Sequence, residues 1–336
     1  MARLAVIVAQ GGISSAGRTS GFNAYKRIVY SALSHKSKES VLASLQQLCT
    51  SSQHSSSKKS MHEKDLLAAT LIRKLNLFDT KKIPVHHKLP LQKGSDLVVK
   101  KKHLPKNIPS EWQLTSLDDT FVKVVINSAK DFLLKTTALS EVNAAGQLPD
   151  GFSPEKIYPS RSHPRGLAMT ICGASDAVQS MGIDWELIKQ QVSADQISVY
   201  AGSCMSQMDG NSNGGLLQAR LKGKRISAKQ LPLGFAEMPA DFINAYILGN
   251  LGNTGTNMGA CATFLYNLRQ GMDDISSGRS KIAIVGNSEA PLTPEIIEGY
   301  TTMGALATDK SLKQLDNIVA EKELDYTRAC RPFAEN

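Results

Sequence analysis

Residues 252–289 read GNTGTNMGACATFLYNLRQGMDDISSGRSKIAIVGNSE, and their punctuation decides the fold class. Glycines crowd toward Cys261, where a helical pattern opens. Phe264, Leu265, Leu268, Met272 and Ile275 follow it at i+3, i+4, i+7, i+11 and i+14. That spacing predicts a one-faced helix with Cys261 on its buried stripe. Gly278 is placed to end the helix, and Lys281 to Gly286, KIAIVG, predicts a short buried strand.

A thiol in the first turn of a helix faces unpaired backbone N–H groups and the positive end of the helix dipole, which favour thiolate over thiol. The Cys261 N–H can also point at an oxyanion forming on a carbonyl bound to its own sulfur, and Gly255 and Gly259 allow backbone close to a substrate. Cys261 is thus the candidate nucleophile, although free cysteines are often only small buried hydrophobes.

Working upstream, Leu167, Ile171, Ala174, Val178 and Met181 predict a buried helix face from Pro164 to Gly182, followed by a strand at Ile197 to Ala201. Pro239 predicts a helix start, with Phe242, Ala245 and Tyr246 inward, running to Leu248. Strands alternating with helices predict an α/β fold with a mostly parallel sheet, which exposes a nucleophile at its carboxyl end. Cys172 falls mid-helix as a core thiol, and Cys204 lies in the glycine-rich stretch AGSCMSQMDGNSNGG without a helix register.

Leu4 to Ala9 predicts a first strand, and the Gly11-Gly12 turn after it lacks the GxGxxG spacing of a dinucleotide site. Residues 22–49 read as two helices, 51–60 as a polar low-complexity loop, 79–112 as proline-bearing loops, and 116–137 as another helix through Leu117, Phe121, Val124, Val125, Phe132 and Leu133. Residues 29–159 therefore read as a helical, Lys-rich insertion between 1–28 and 160–336.

The run from Ala260 to Leu306 resembles the active-site segment of β-ketoacyl-[acyl-carrier-protein] synthases, the decarboxylating condensing enzymes of the thiolase superfamily. Ala260-Cys261-Ala262, Gly278, Gly286-Asn287-Ser288-Glu289, Pro294 and Met303-Gly304-Ala305-Leu306 carry the resemblance. Met258-Gly259 stands where the family commonly has Asp-Thr or Ala-Thr, and Asn287 replaces a glycine. The resemblance implies the N-terminal half of a thiolase-like fold, Cys261 as acyl acceptor, and acyl- and malonyl-loaded carrier protein as partners. It also implies a homodimer paired near Thr254 to Ala260, and no cofactor or metal. All seven histidines, at 35, 54, 62, 86, 87, 103 and 163, precede Cys261, whereas the family keeps two after its cysteine. The C-terminal half of the domain is therefore expected to lie outside this chain. Two alternatives are another thiolase-superfamily acyltransferase, such as a thiolase or a polyketide or polyunsaturated-lipid synthase module, and a non-catalytic chain-length partner subunit.

The net charge of +9 is uneven: residues 21–110 hold 17 Lys or Arg against 5 Asp or Glu. Such a surface calls for an acidic partner. Nucleic acid fits poorly, because Lys100, Lys101 and Lys102 lack interleaved aromatics and no nucleic-acid motif accompanies them. An acidic carrier protein fits as a docking partner. The five cysteines, without CxxC spacing, predict reduced thiols. No apolar run reaches membrane-spanning length, so a cytoplasmic location and no membrane partner are expected.

Overall fold

The computed structural model describes residues 3–50, 61–160, 162–249, 252–289, 291–319 and 323–331. The chain divides into two units, one formed by Met1–Phe78 with Glu141–Asn336 and one by Asp79–Ser140.

In the larger unit, β1 (Ile13–Ser14) and β2 (Gly17–Arg18) form a tight antiparallel hairpin. The helices α1 (Asn23–Ile28), α2 (His35–Thr50) and α3 (Glu63–Ala68) follow, and then β3 (Ile72–Lys74). Val41, Leu45 and Cys49 of α2 pack with Tyr30, Leu66 and Ala69, as an i, i+4, i+8 stripe should. The polar loop expected at 51–60 lies outside the described residues. Leu4 to Ala9 is extended but pairs with no strand among the described residues, and Leu4, Val6, Ile7 and Val8 are exposed. The expected first strand thus has the right composition and no neighbour to pair with.

The smaller unit corrects the helical reading of the insertion. Its elements are β4 (Ile83–Leu91), β5 (Ser95–Lys100), β6 (Trp112–Ser116), β7 (Phe121–Ile126) and β8 (Lys130–Ala138). β4 pairs with β8, and β5, β7 and β6 form an antiparallel sheet with β7 central. The expected helix over 116–137 is instead β7, a turn and β8. FVKVVI buries Val122, Val124 and Ile126 with period two, and its β-branched residues favour the pleated surface. Leu117, Phe121, Val124 and Val125 fit a helical spacing by coincidence. Pro84 and Pro90 are accommodated because β4 is an edge of a two-stranded ribbon.

Beyond β9 (Ala144–Gly146), which pairs with β3, the expected alternation appears. It runs α4 (Arg165–Ser180), α5 (Trp185–Gln191), β10 (Ile197–Gly202), α6 (Asn213–Gln218) and α7 (Met238–Ile243). Then come β11 (Asn253–Gly255), α8 (Thr263–Ser277), β12 (Ile282–Asn287), α9 (Pro294–Thr302) and α10 (Asp309–Leu315). α7 runs on as a π-helical turn, Asn244–Leu248. β11, β10 and β12 lie side by side in that order, and both pairings are parallel. Ile197, Val199 and Ala201 of the central strand meet Ala174, Trp185, Ala240, Ile243 and Leu248 in the core. Two of the expected inner faces differ: Tyr246 is exposed, stacked on Phe242.

Asp176 of α4 ties the amino-terminal segment to this core. Its carboxylate, 6% exposed, accepts the Gly12 and Ser20 N–H groups, the Ser20 hydroxyl and an Arg18 N–H.

The second corrected face is that of α8. Its buried residues are Thr263, Asn267, Gly271 and Asp274, a small and polar stripe, while Phe264, Leu265, Tyr266 and Met272 are exposed. The reason is the closeness of β12. A Cβ on Gly271 would stand 2.8 Å from Val285 Cγ1 and 3.0 Å from Ala283 Cβ, so only a small residue lets helix and strand meet there. Gly271→Leu is expected to cost about 1–3 kcal/mol through overpacking, read as a lowered midpoint of thermal unfolding. An unchanged midpoint would show that α8 does not sit on β12 this way.

Candidate active site

The carboxyl ends of β11, β10 and β12 deliver Cys261, Cys204 and Glu289 to the same end of the sheet. Cys261 occupies a single 3₁₀ turn, Ala260–Ala262, that runs directly into α8. It is exposed, which corrects its placement on a buried stripe. Ala260 holds φ at +48°, a left-handed conformation unusual for a side-chain-bearing residue. Strain of this kind costs about 1–3 kcal/mol and persists only where surrounding bonds enforce it.

The enforcing bonds come from α8. The Thr263 hydroxyl donates to the Ala260 carbonyl at 2.7 Å and accepts the Gly259 N–H at 3.1 Å. Asn267, fully buried, accepts the Asn257 N–H at 2.7 Å through Oδ1 and donates to the Gly286 carbonyl at 3.2 Å through Nδ2. It also exchanges hydrogen bonds with the Thr256 hydroxyl. Gly259 is required by packing, since a Cβ there would stand 2.2 Å from the Tyr266 ring. The turn is thus pinned on both sides of Cys261. Among the described residues the Cys261 N–H finds no partner, so it is free to donate outward.

Across the sheet end, Glu289 closes on the turn after β10. Its carboxylate accepts the Ser203 hydroxyl at 3.1 Å and, in a short contact, the Cys204 N–H. Burial first, then the Glu289 hydrogen bond and charge, pushes the Cys204 thiol up to about 11. Burial likewise pushes Cys172 up to about 11, consistent with a core thiol.

The remaining candidates lie elsewhere. His163 bonds the Tyr158 hydroxyl through Nδ1 at 2.9 Å and the Tyr246 hydroxyl through Nε2 at 3.3 Å, in edge contact with Phe242. Its burial, and then the Lys229 charge, lower its pKa. It serves an aromatic cluster. Lys100 ends β5, Lys101 and Lys102 open the next turn, and all three are exposed in the smaller unit. Asn267 and Glu289 were missed as site residues. The signal for Asn267 was the second stripe Thr263, Asn267, Gly271, Asp274 on the same helix.

The family model described as "Beta-ketoacyl synthase, N-terminal domain" matches residues 137–318, more than half the chain and all three strands of the parallel sheet. The chain belongs to the beta-ketoacyl synthase family. Among its ketosynthase relatives, Beta-ketoacyl-[acyl-carrier-protein] synthase FabY of Pseudomonas aeruginosa is 42% identical, over 100% of this chain and 56% of that protein. The 3-oxoacyl-[acyl-carrier-protein] synthase 2 of Staphylococcus aureus is 28% identical, over 58% of this chain and 44% of that one. A crystal structure of the ketosynthase FabY from P. aeruginosa superposes with a TM-score of 0.88 at 41% identity, covering 100% of this chain and 55% of that one. The thiolase-like α/β fold of these ketosynthases is therefore the fold of this chain. The chain spans about half the length of the curated FabY relative it matches. Lys100, Lys101 and Lys102 fall outside the matched residues. No described helix is long and apolar enough to cross a membrane.

Proposed function

We propose that this chain supplies the acyl-accepting half of a β-ketoacyl-[acyl-carrier-protein] synthase of fatty acid biosynthesis, with Cys261 as its nucleophile. The observation that carries the reading is an exposed thiol at the head of α8, its own amide unpaired among the described residues, at the carboxyl end of a parallel sheet. In the first step the Cys261 thiolate attacks the acyl carbonyl of a carrier-protein thioester. A new carbon–sulfur bond forms, the carrier's breaks, and its thiol leaves with the proton. The Cys261 N–H donates to the intermediate oxyanion, a contribution on the order of 10²–10³ in rate for one such donor. In the second step malonyl carrier protein loses carbon dioxide. The enolate carbon attacks the Cys261 thioester, forming a carbon–carbon bond and returning the thiolate. Following the family resemblance, we assign stabilisation of that enolate to two histidines of the fold's second half.

Two features support an assembly around this half. β11 pairs on one side only, with β10, which leaves an edge for a second copy in a homodimer. The exposed Phe264, Leu265 and Met272 give α8 an apolar face suited to a further polypeptide layer. We place the enzyme in the cytoplasm. The test is production of β-ketoacyl carrier protein and carbon dioxide from acyl- and malonyl-carrier protein by the full-length protein; absence of both products would overturn the reading.

The basic turn at Lys100, Lys101 and Lys102 suits docking of an acidic carrier protein. Replacing all three with Gln is expected to raise KM for the carrier several-fold at low salt, a difference that shrinks as ionic strength rises. An unchanged KM would leave the turn as solvated surface.

A further inference from the structure

The site holds a second thiol that the proposed chemistry does not use. Cys204 and Cys261 follow neighbouring parallel strands, and their charges are close enough to interact. A nucleophile that stores an acyl thioester has a specific hazard in such a neighbour. The Cys204 thiolate could attack the acyl carbon on Cys261, forming one carbon–sulfur bond as the other breaks and releasing the Cys261 thiolate. No electrons change hands, so nothing in the redox state of the cell would prevent it, and the acyl group would be stranded on the wrong sulfur.

Glu289 stands against that transfer. One carboxylate oxygen accepts the Ser203 hydroxyl and the other the Cys204 N–H, fixing the turn after β10 at two consecutive residues. Ser203 is 1% exposed, so this grip is inside the protein rather than on its surface. The Cys204 thiol is also within hydrogen-bonding reach of the same carboxylate. A carboxylate is acceptor only, and beside a sulfur it favours S–H over S⁻ both by accepting the hydrogen and by its charge. The titratable groups facing Cys204 are Glu289, from the segment after β12, and Cys261, from the turn before α8. Both disfavour a negative sulfur there.

We propose that Glu289 is a positioning residue that pins the turn after β10 and keeps Cys204 as a hydrogen-bond donor, so that Cys261 alone holds the acyl group. The inference rests on the synthase reading for its purpose, but its test reads thiol chemistry in the chain itself and can fail separately.

The test is the rate at which each cysteine reacts with methyl methanethiosulfonate, mapped by peptide mass spectrometry across a range of pH. In the unmodified protein Cys261 reacts first, and Cys204 reacts with a pH midpoint well above that of an ordinary thiol. Glu289→Gln keeps the shape and removes the charge. Because burial is the largest cause of the Cys204 shift and remains, the gain is partial. Added thiolate is also offset by lower intrinsic nucleophilicity, so Cys204 should react about three- to tenfold faster near neutral pH. Its midpoint should fall, and Glu289→Asp should restore the slow rate. Loss of folding alone would leave Glu289→Asp unable to restore anything, and the pH midpoint of Cys204 in the unmodified protein then decides. A midpoint in the ordinary thiol range, or a Cys204 rate unchanged by Glu289→Gln in a folded protein, overturns the proposal. Failure of Cys261 to take an acyl group would instead overturn the synthase reading and leave this one standing.

Discussion

Replacing Cys261 with alanine is expected to lower condensation by a factor on the order of 10³–10⁶, to the level left by binding and the oxyanion donor alone. The size follows from the chemistry. Both steps pass through a thioester on this sulfur, and alanine offers no atom to form that bond. Serine would not substitute well, because its hydroxyl is a far weaker nucleophile without an adjacent base. The loss should appear in kcat with little change in the affinity for carrier protein, since the surface and the turn are retained. Cys330→Ser, an exposed cysteine in the carboxyl-terminal stretch, is the control and should leave the rate within a factor of about two. Steady-state assays of the full-length protein check both, and a Cys261→Ala protein of near-normal rate would remove the nucleophile from this account.

The second large effect is expected at Asn267. Asn267→Leu keeps the volume but leaves the Asn257 N–H, the Gly286 carbonyl and the Thr256 hydroxyl without their buried partner. Leaving each such group unsatisfied costs about 1–3 kcal/mol, so a loss of about 3–5 kcal/mol of stability is expected. The consequence for chemistry is separate. Asn267 joins the turn before Cys261 to the end of β12, and a displacement of about 1 Å in that turn can cost about 10² in rate. Chemical denaturation gives the first quantity, and kcat at a temperature where the variant remains folded gives the second. Asn267→Asp, which retains the acceptor for the Asn257 N–H but loses the donor to Gly286, should fall between the two proteins. A fully stable Asn267→Leu protein would show that the turn is not held by this side chain.

The parallel core was legible because its signals are local. Pro239, Gly182 and Gly278 mark element ends in the sequence, and the model places a helix start or a left-handed cap at each. ISVYAG and KIAIVG could be read as strands because both are short apolar runs between turn residues, and they pair with each other in parallel. The insertion was not legible. In residues 116–137 helical and strand spacings coincide, and only pairing with β5 and β6 decides for the sheet. The face of α8 was misjudged for a related reason. Periodicity finds the apolar stripe of a helix, but the close approach of Val285 and Ala283 at Gly271 selects the small and polar one. Cys261 was legible from its place at the head of the helix. Glu289 was not, because its value lies in a contact with Ser203 and Cys204 more than eighty residues away in the chain.

These corrections bear on the active site as well as on the fold. With the apolar stripe of α8 turned outward, the stripe that faces the sheet is free to carry Thr263 and Asn267, the two side chains that bind the Cys261 turn. A helix packed through a uniformly apolar face could not have held Ala260 in its left-handed conformation by hydrogen bonds.

The central claim is that one sulfur, at the head of α8, carries the acyl group. The measurement that tests it most directly is peptide mass mapping of the protein after brief exposure to acyl carrier protein without malonyl carrier protein. The account predicts one acyl mass per chain on the peptide containing Cys261 and its loss on addition of malonyl carrier protein. Acyl mass on the peptide containing Cys204, or on neither peptide while product still forms, would contradict it.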